Sequence, residues 1–273
     1  MKLSQASWWL AACMGTLINA SGILEVDLVF PRNESYAPID SFPVVFAFQN
    51  AELARYLNPR LTYDLWSWDN SNNTFPSWEE LRWVNWTDYD TYFAHSYFSK
   101  FNKEGRWRVR WTLSWDSCDQ DILESGHSLR DGIIHNSTTW STDFTIKNSA
   151  PKVDLIAATS NKTCPGEYGV AINVTDKTMK IPFGVSWSGG KYTNDTCAVL
   201  AFSPTPTPNP CRVHINKTTV ESMEASLHAR LCNSLNPPDD CPEEGKNAAQ
   251  QLAVTGIFLF LSTVGAIGFL FKL

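Results

Sequence analysis

The chain has 273 residues, with 22 basic and 28 acidic side chains, a formal net charge of −6, 43% hydrophobic residues and twelve tryptophans. An acidic chain without a basic stripe has no footprint for tracking a phosphate backbone, which sets nucleic acid aside as a partner. No Walker loop, G-x-G-x-x-G or H-E-x-x-H occurs, and Gly184–Ser188 stops one residue short of G-x-S-x-G. The five histidines show no ligand spacing, so the sequence points to no catalysis, no cofactor and no metal.

Residues 1–20 carry one Lys, an apolar run from Trp8 extending to Ile18, and a small residue, Ala20, at a cleavage position. That pattern is a secretory signal, since the apolar run is too short for a bilayer core of roughly 30 Å. Strands follow. Leu24–Phe30, Val44–Phe48, Leu61–Leu65, Arg106–Trp115 and Trp140–Ile146 alternate apolar and polar side chains, each predicting a half-buried strand. With Pro, Asn and Gly between them and almost no helical periodicity, residues 21–149 are expected to form an immunoglobulin- or fibronectin-like antiparallel β-sandwich. In the Arg106–Trp115 strand, Trp107, Trp111 and Trp115 share one face and belong to the core.

Residues 66–86 behave differently, holding five of the tryptophans. Trp66 and Trp68 follow the parity of Thr62 and Asp64, the polar face, unless a bulge near Leu65 shifts the register. Ser77 with Glu80 makes a capping box that predicts a short helix over 78–84, with Trp78 and Leu81 on its inner side. The sequons at Asn72 and Asn85 bring the flanks to water, leaving Trp66, Trp68, Trp83 and Trp86 as candidate exposed rings. Either the hairpin folds its rings over the open end of the sandwich, or it offers them to a sugar or a protein, since pyranose faces stack on aromatic rings. Glu79 with Glu80, and Asp116 with Asp119, are the carboxylate pairs a glycosidase reading would nominate.

A second region, 150–235, has strand candidates at Val153–Ala157, Tyr168–Val174, Val185–Trp187 and Cys197–Phe202. One helix closes it: Thr218 with Glu221 forms a capping box, and Val220, Met223, Leu227 and Leu231 make an apolar stripe. Cys13 leaves with the signal, and Cys118, Cys164, Cys197, Cys211, Cys232 and Cys241 suit three disulfides of open connectivity, with no C-x-x-C pair. Because Cys118 lies in the first region and every possible partner in the second, a disulfide is expected to tie this smaller, stapled β region to the first. The prolines from Pro204 to Pro210 predict an extended loop.

Residues 236–247 form an acidic stalk. Residues 248–273 hold an uncharged apolar run from Leu252 to Phe271 that ends almost at the chain terminus. Small residues at Asn247, Ala248 and Ala249 make this a glycolipid-anchor signal attached at Asn247, with a transmembrane helix as the alternative. Sequons stand at Asn33, Asn72, Asn85, Asn136, Asn161, Asn173, Asn194 and Asn216, the density expected of a protein that passes through the secretory pathway.

The stretches LEVDLVFPRNESYAP, FPVVFAFQNAELARYLNP, RWRVRWTLSWDSC and STDFTIKNSAPKVDL resemble a fungal family of secreted proteins that carry a domain of unknown function, number 7136. The resemblance implies a signal-bearing, cysteine-containing ectodomain, often glycolipid-anchored, and assigns no residue a role. The expectation is therefore a noncatalytic, N-glycosylated ectodomain on the extracellular face of the plasma membrane or in the cell wall, structural or interacting. Its partners would be the membrane through its anchor, and cell-wall polysaccharide or another surface protein. The alternative is a carbohydrate-binding module using the 66–86 segment.

Overall fold

The computed structural model describes residues 22–70, 74–125, 132–160, 169–181, 196–201 and 203–242. The chain divides into two compact units, Met1–Val220 and Glu221–Leu273. The first is mainly β. Its described strands are β1 (Gly22–Phe30), β2 (Ser35–Tyr36), β3 (Phe42–Gln49), β4 (Arg60–Ser67), β5 (Thr74–Glu79), β6 (Thr91–Phe98), β7 (Gly105–Cys118), β8 (Ile133–Ile146), β9 (Gly169–Lys180) and β10 (Thr196–Leu200).

They pair in the order β2-β8-β7-β10-β9-β1-β3-β6, with β4 between β7 and β5. Most pairs are antiparallel, but β2 with β8 and β10 with β7 are parallel, so the expected antiparallel arrangement becomes a mixed sheet. Strands β9 and β10, from beyond residue 150, join the same hydrogen-bonded path as β1 and β7. The disulfide Cys118–Cys197 reinforces that junction, which the sequence led us to expect from the lone cysteine upstream of residue 150. Around it pack Ile133 and Ile181.

Alternation in β4 and β7 builds the core. Leu61, Tyr63 and Leu65 point inward from β4, and Trp107, Val109, Trp111 and Leu113 from β7, whereas Trp115, expected in the core with the other two tryptophans, is half-buried near the end of the strand. The inward side chains meet aromatic side chains of β3: Phe46 lies 5.2 Å from Tyr63 and 5.5 Å from Trp111, centroid to centroid. Phe42 contacts Phe30, Phe101 and Phe144 at 5.3, 4.7 and 5.1 Å. Such edge and offset contacts each add on the order of 1 kcal/mol beyond the area they bury.

Several elements depart from the sequence expectation. Val153–Ala157 does not extend as a strand; Asp154 Oδ1 accepts the Ala157 N–H at 2.9 Å, and this cap starts the helix α2 (Leu155–Ser160), the short α1 being Gln120–Ser125. Nor does a helix cover 78–84, because β5 is held in register along β4 from Glu79 to Thr74. The long helix α3 (Lys217–Cys232) is capped by Asn216, whose Oδ1 accepts the Thr219 N–H at 2.9 Å, and not by the exposed Thr218. In the second unit, Cys232–Cys241 closes a loop of sequence separation 9. The candidate strand at 185–187 lies outside the described residues.

Strand β1 departs most. Read as half-buried, it is buried on both faces from Leu24 to Phe30, including Glu25 and Asp27 at 1% and 0% exposure, and β3, read as half-buried over Val44–Phe48, is buried throughout because it is paired on both edges, with β1 and β6. The segment around Pro208–Arg212 covers the second face of β1: Glu25 accepts the Asn209 N–H and an Arg212 Nη2 hydrogen bond at 2.9 Å. Room for this is made at Gly169, where a Cβ would overlap Asp27 Oδ1 and stand 2.7 Å from Pro208 Cβ. Asp27 Oδ2 accepts only a neutral donor, Gln49 Nε2, at 2.6 Å. Burial first, and the adjacent Glu25 charge second, push its carboxyl from 3.8 up to about 8.

Because the folded state holds this proton more tightly than the unfolded chain, its contribution to stability is complete below the ordinary carboxylate pKa and is lost as pH rises through about 8. Thermal unfolding measured across that window should show a midpoint falling with pH, and Asp27→Asn should flatten the slope. An unchanged slope in Asp27→Asn would assign the effect to another group.

Candidate functional site

The outer face of β5-β4-β7-β8 is built by the same alternation that fills the core. Residues directly opposite in antiparallel strands share a face, so the register writes three transverse rows. Trp78, Thr62, Thr112 and Thr139 form the first; Pro76, Asp64, Arg110 and Ser141 the second; Thr74, Trp66, Arg108 and Asp143 the third. β4 keeps strict alternation through Ser67, so Trp66 lies on the polar face as its parity predicted.

The rings on this face differ in how they are held. Arg108 donates to Asp143 through Nε at 2.5 Å and Nη2 at 2.7 Å, and its guanidinium lies 4.5 Å from the Trp68 ring centre and 5.5 Å from that of Trp66. Trp68 Nε1 donates to Asp143 Oδ1 at 3.2 Å, and the two indoles contact each other at 4.4 Å. The hydrogen bonds from Arg108 hold the Asp143 carboxyl below its ordinary value. Trp66 is thereby half-buried, whereas Trp68 remains 44% exposed.

Trp78 is the freest ring of the rows, at 69% exposure. It borders a shallow hollow of about 340 Å³ lined with Thr62, Asp64, Pro76, Arg110 and Thr112. A second hollow of about 380 Å³, bounded by Thr139, Trp140 and Ser141, lies on the other side of Arg110. Asp64 Oδ1 accepts both Nε and Nη2 of Arg110 at 3.1 Å, and Thr112 and Thr139 share a hydroxyl hydrogen bond of 2.8 Å.

The four rings singled out by sequence therefore separate. Trp68 and Trp83 are exposed, Trp83 at 75%, Trp66 is half-buried, and Trp86 is buried at 7%. Trp86 opens a 3-10 turn, Trp86–Asp88, and packs on Phe48 and Tyr92, both at 5.3 Å. Trp78, expected on the inner side of a helix, is the ring that sequence reasoning missed. Its signal was the Thr-Phe-Pro-Ser-Trp alternation, which carries Trp78 outward once β5 is a strand.

The nominated carboxylates hold structure together. Glu79 Oε1 accepts Tyr63 and Ser96 hydroxyls at 2.7 and 2.9 Å, and Glu80 accepts the Arg82 N–H. Asp116, fully buried, accepts from Asn58, Arg60 and His135; Asp119 caps α1 at the Ile122 N–H. In the second unit, His228, Cys232 and Cys241 converge, but the two sulfurs are bonded to each other and offer no thiolate.

Among the described sequons, Asn33, Asn85 and Asn216 are exposed, and Asn136 and Asn173 are half-buried. None of these five stands in the three rows. Cys211 is also disulfide-bonded. Asn72, Asn161, Asn194, Cys164, Asn247, which the sequence reading nominates for anchor attachment, and both apolar ends lie outside the described residues. No helix among the described residues is long and apolar enough to cross a membrane.

A family model described as Domain of unknown function (DUF7136) matches residues 19–241. The chain belongs to this family. No curated protein and no solved structure matches it. The DUF7136 match spans every strand and helix described above, so the rows of the outer face are part of the family domain.

Arg108→Ala removes the cation stacked on Trp68 and deprives the Asp143 carboxylate of its partner, and should destabilise the fold by about 1–2 kcal/mol in urea unfolding. Arg106, 3.7 Å from Asp69 and mostly exposed, is the comparison: Arg106→Ala should stay within about 0.5 kcal/mol of the parent.

Proposed function

We propose that this protein is a noncatalytic, secreted, N-glycosylated ectodomain, held at the outer face of the plasma membrane or in the wall by a C-terminal glycolipid anchor. Its β region is an immunoglobulin- or fibronectin-like sandwich, and the outer face of β5-β4-β7-β8 is a surface for binding polysaccharide. Exposed Trp78 beside the Asp64–Arg110 pair carries this reading: a bare indole offers a stacking platform, and the adjoining hydroxyls, carboxylate and guanidinium offer partners for a sugar's hydroxyls. At 69% exposure most of the Trp78 ring remains open to a partner. The absence of the described sequons from these rows supports the same reading, since a glycan there would cover the platform.

Affinity electrophoresis of the full-length protein through gels containing wall polysaccharides should show retardation that Trp78→Ala abolishes without shifting the melting temperature. Unhindered migration in every gel would remove polysaccharide binding. Treatment of intact cells with phosphatidylinositol-specific phospholipase C should release the protein; retention of a species ending at Leu273 would assign the tail to a spanning helix.

A further inference from the structure

We infer that the ligand of the outer face is an uncharged, extended polysaccharide chain lying along β4, stacked at one end on Trp78 and at the other on Trp68. This rests on the reading of that face as a polysaccharide-binding surface, and it adds the ligand's charge, its extent and its direction.

Charge comes from the ion pairs. Arg110 is matched by Asp64, Arg108 by Asp143 and Arg106 by Asp69. Every guanidinium along this edge of the face already has a carboxylate, so a uronate or sulfated chain would have to displace an internal anion, and a polyamine an internal cation. A neutral chain displaces neither. Its hydroxyls can add to the existing pairs, because Asp64 engages Arg110 through Oδ1 alone, which leaves its second oxygen for a sugar hydroxyl.

Extent and direction come from the register. Trp78 is opposite Thr62 on β4, and Trp66 is four residues farther along the same strand, roughly 13 Å at about 3.3 Å per residue. Trp68 extends the strip by two more residues. Between these ends, along β4, lies the hollow lined with Thr62, Asp64, Arg110 and Thr112, and the second hollow, on β8 with Trp140 at its border, meets it at Arg110. A strip along β4 with a ring at each end and hydroxyl-bearing side chains between them fits several consecutive pyranoses better than one. The ends are also unequal: Trp78 is free, whereas Trp68 is fixed by Asp143 and stacked by Arg108 on one side.

The test uses matched polymers. The full-length protein is run in native gels containing hydroxyethylcellulose or laminarin, and in gels containing the carboxymethylated form of each at low salt. The neutral polymer should retard the protein more than its carboxymethylated form, and Trp78→Ala and Trp68→Ala should each weaken retardation about tenfold or more. Trp68→Tyr, which keeps a stacking ring, should restore most of it. Trp83→Ala, in the turn that follows β5 and in none of the three rows, should change nothing. A single cooperative urea transition in each variant confirms that it is folded. Stronger retardation by a carboxymethylated polymer, or full retardation of Trp68→Ala where Trp78→Ala is inert, would overturn this inference and leave polysaccharide binding standing. No retardation by any polymer overturns both.

Discussion

The two-residue alternation of β7 from Trp107 to Ser114 is the constraint on which the rest of the molecule depends. β8 runs beside the strand over its whole length, β4 pairs with it along that same stretch, and β10 meets it at Cys118. Trp107, Val109, Trp111 and Leu113 consequently form the floor of the core, while Arg106, Arg108, Arg110 and Thr112 are carried to the opposite surface. A shift of one residue would bury three guanidinium groups and expose two large indoles, so the core and the outer face are specified by the same register.

The outward arginines are settled by what their neighbours present. Each is met by an aspartate, on β4, on β8 or just beyond β4, because opposite charges at facing positions relieve the repulsion that three adjacent cations would create. Two of the tryptophans are drawn into this lattice through Arg108. Trp78 lies on the edge strand, two positions from the nearest guanidinium row, and escapes it. The difference between a ring fixed by an ion pair and a ring left bare is here a difference of row.

Buried carboxylates complete the picture. Asp116 is stabilised by three donors, among them Arg60, and Glu25 by a direct hydrogen bond from Arg212, whereas Asp27 accepts from the Gln49 amide, sits beside the Glu25 charge and feels Arg212 only weakly. Desolvation is therefore compensated at the first two sites and answered at the third by retaining the proton. The segment that carries Arg212 reaches β1 from far along the chain, which is why these charges look like solvent-facing positions in a strand pattern.

Local pattern determined much of this protein. The positions of β1, β3, β4, β7 and β8, the alternation of β4 and of most of β7, the inward Trp107 and Trp111, the outward parity of Trp66 and a disulfide from Cys118 to the region beyond residue 150 are all visible in the order of residues, because strand period and cysteine position are short-range properties. Tertiary structure decided the remainder. Ser77 and Glu80 satisfy a helix-capping pattern, yet pairing with β4 holds that stretch extended; Val153–Ala157 has strand composition, yet Asp154 caps it into a helix. Trp83 and Trp86 are three residues apart with equal hydrophobicity, and only the turn at 86–88 sends one into the core and leaves the other in water. Which face a side chain takes is written locally, but whether that face is covered depends on segments distant in the chain, and no local period records them.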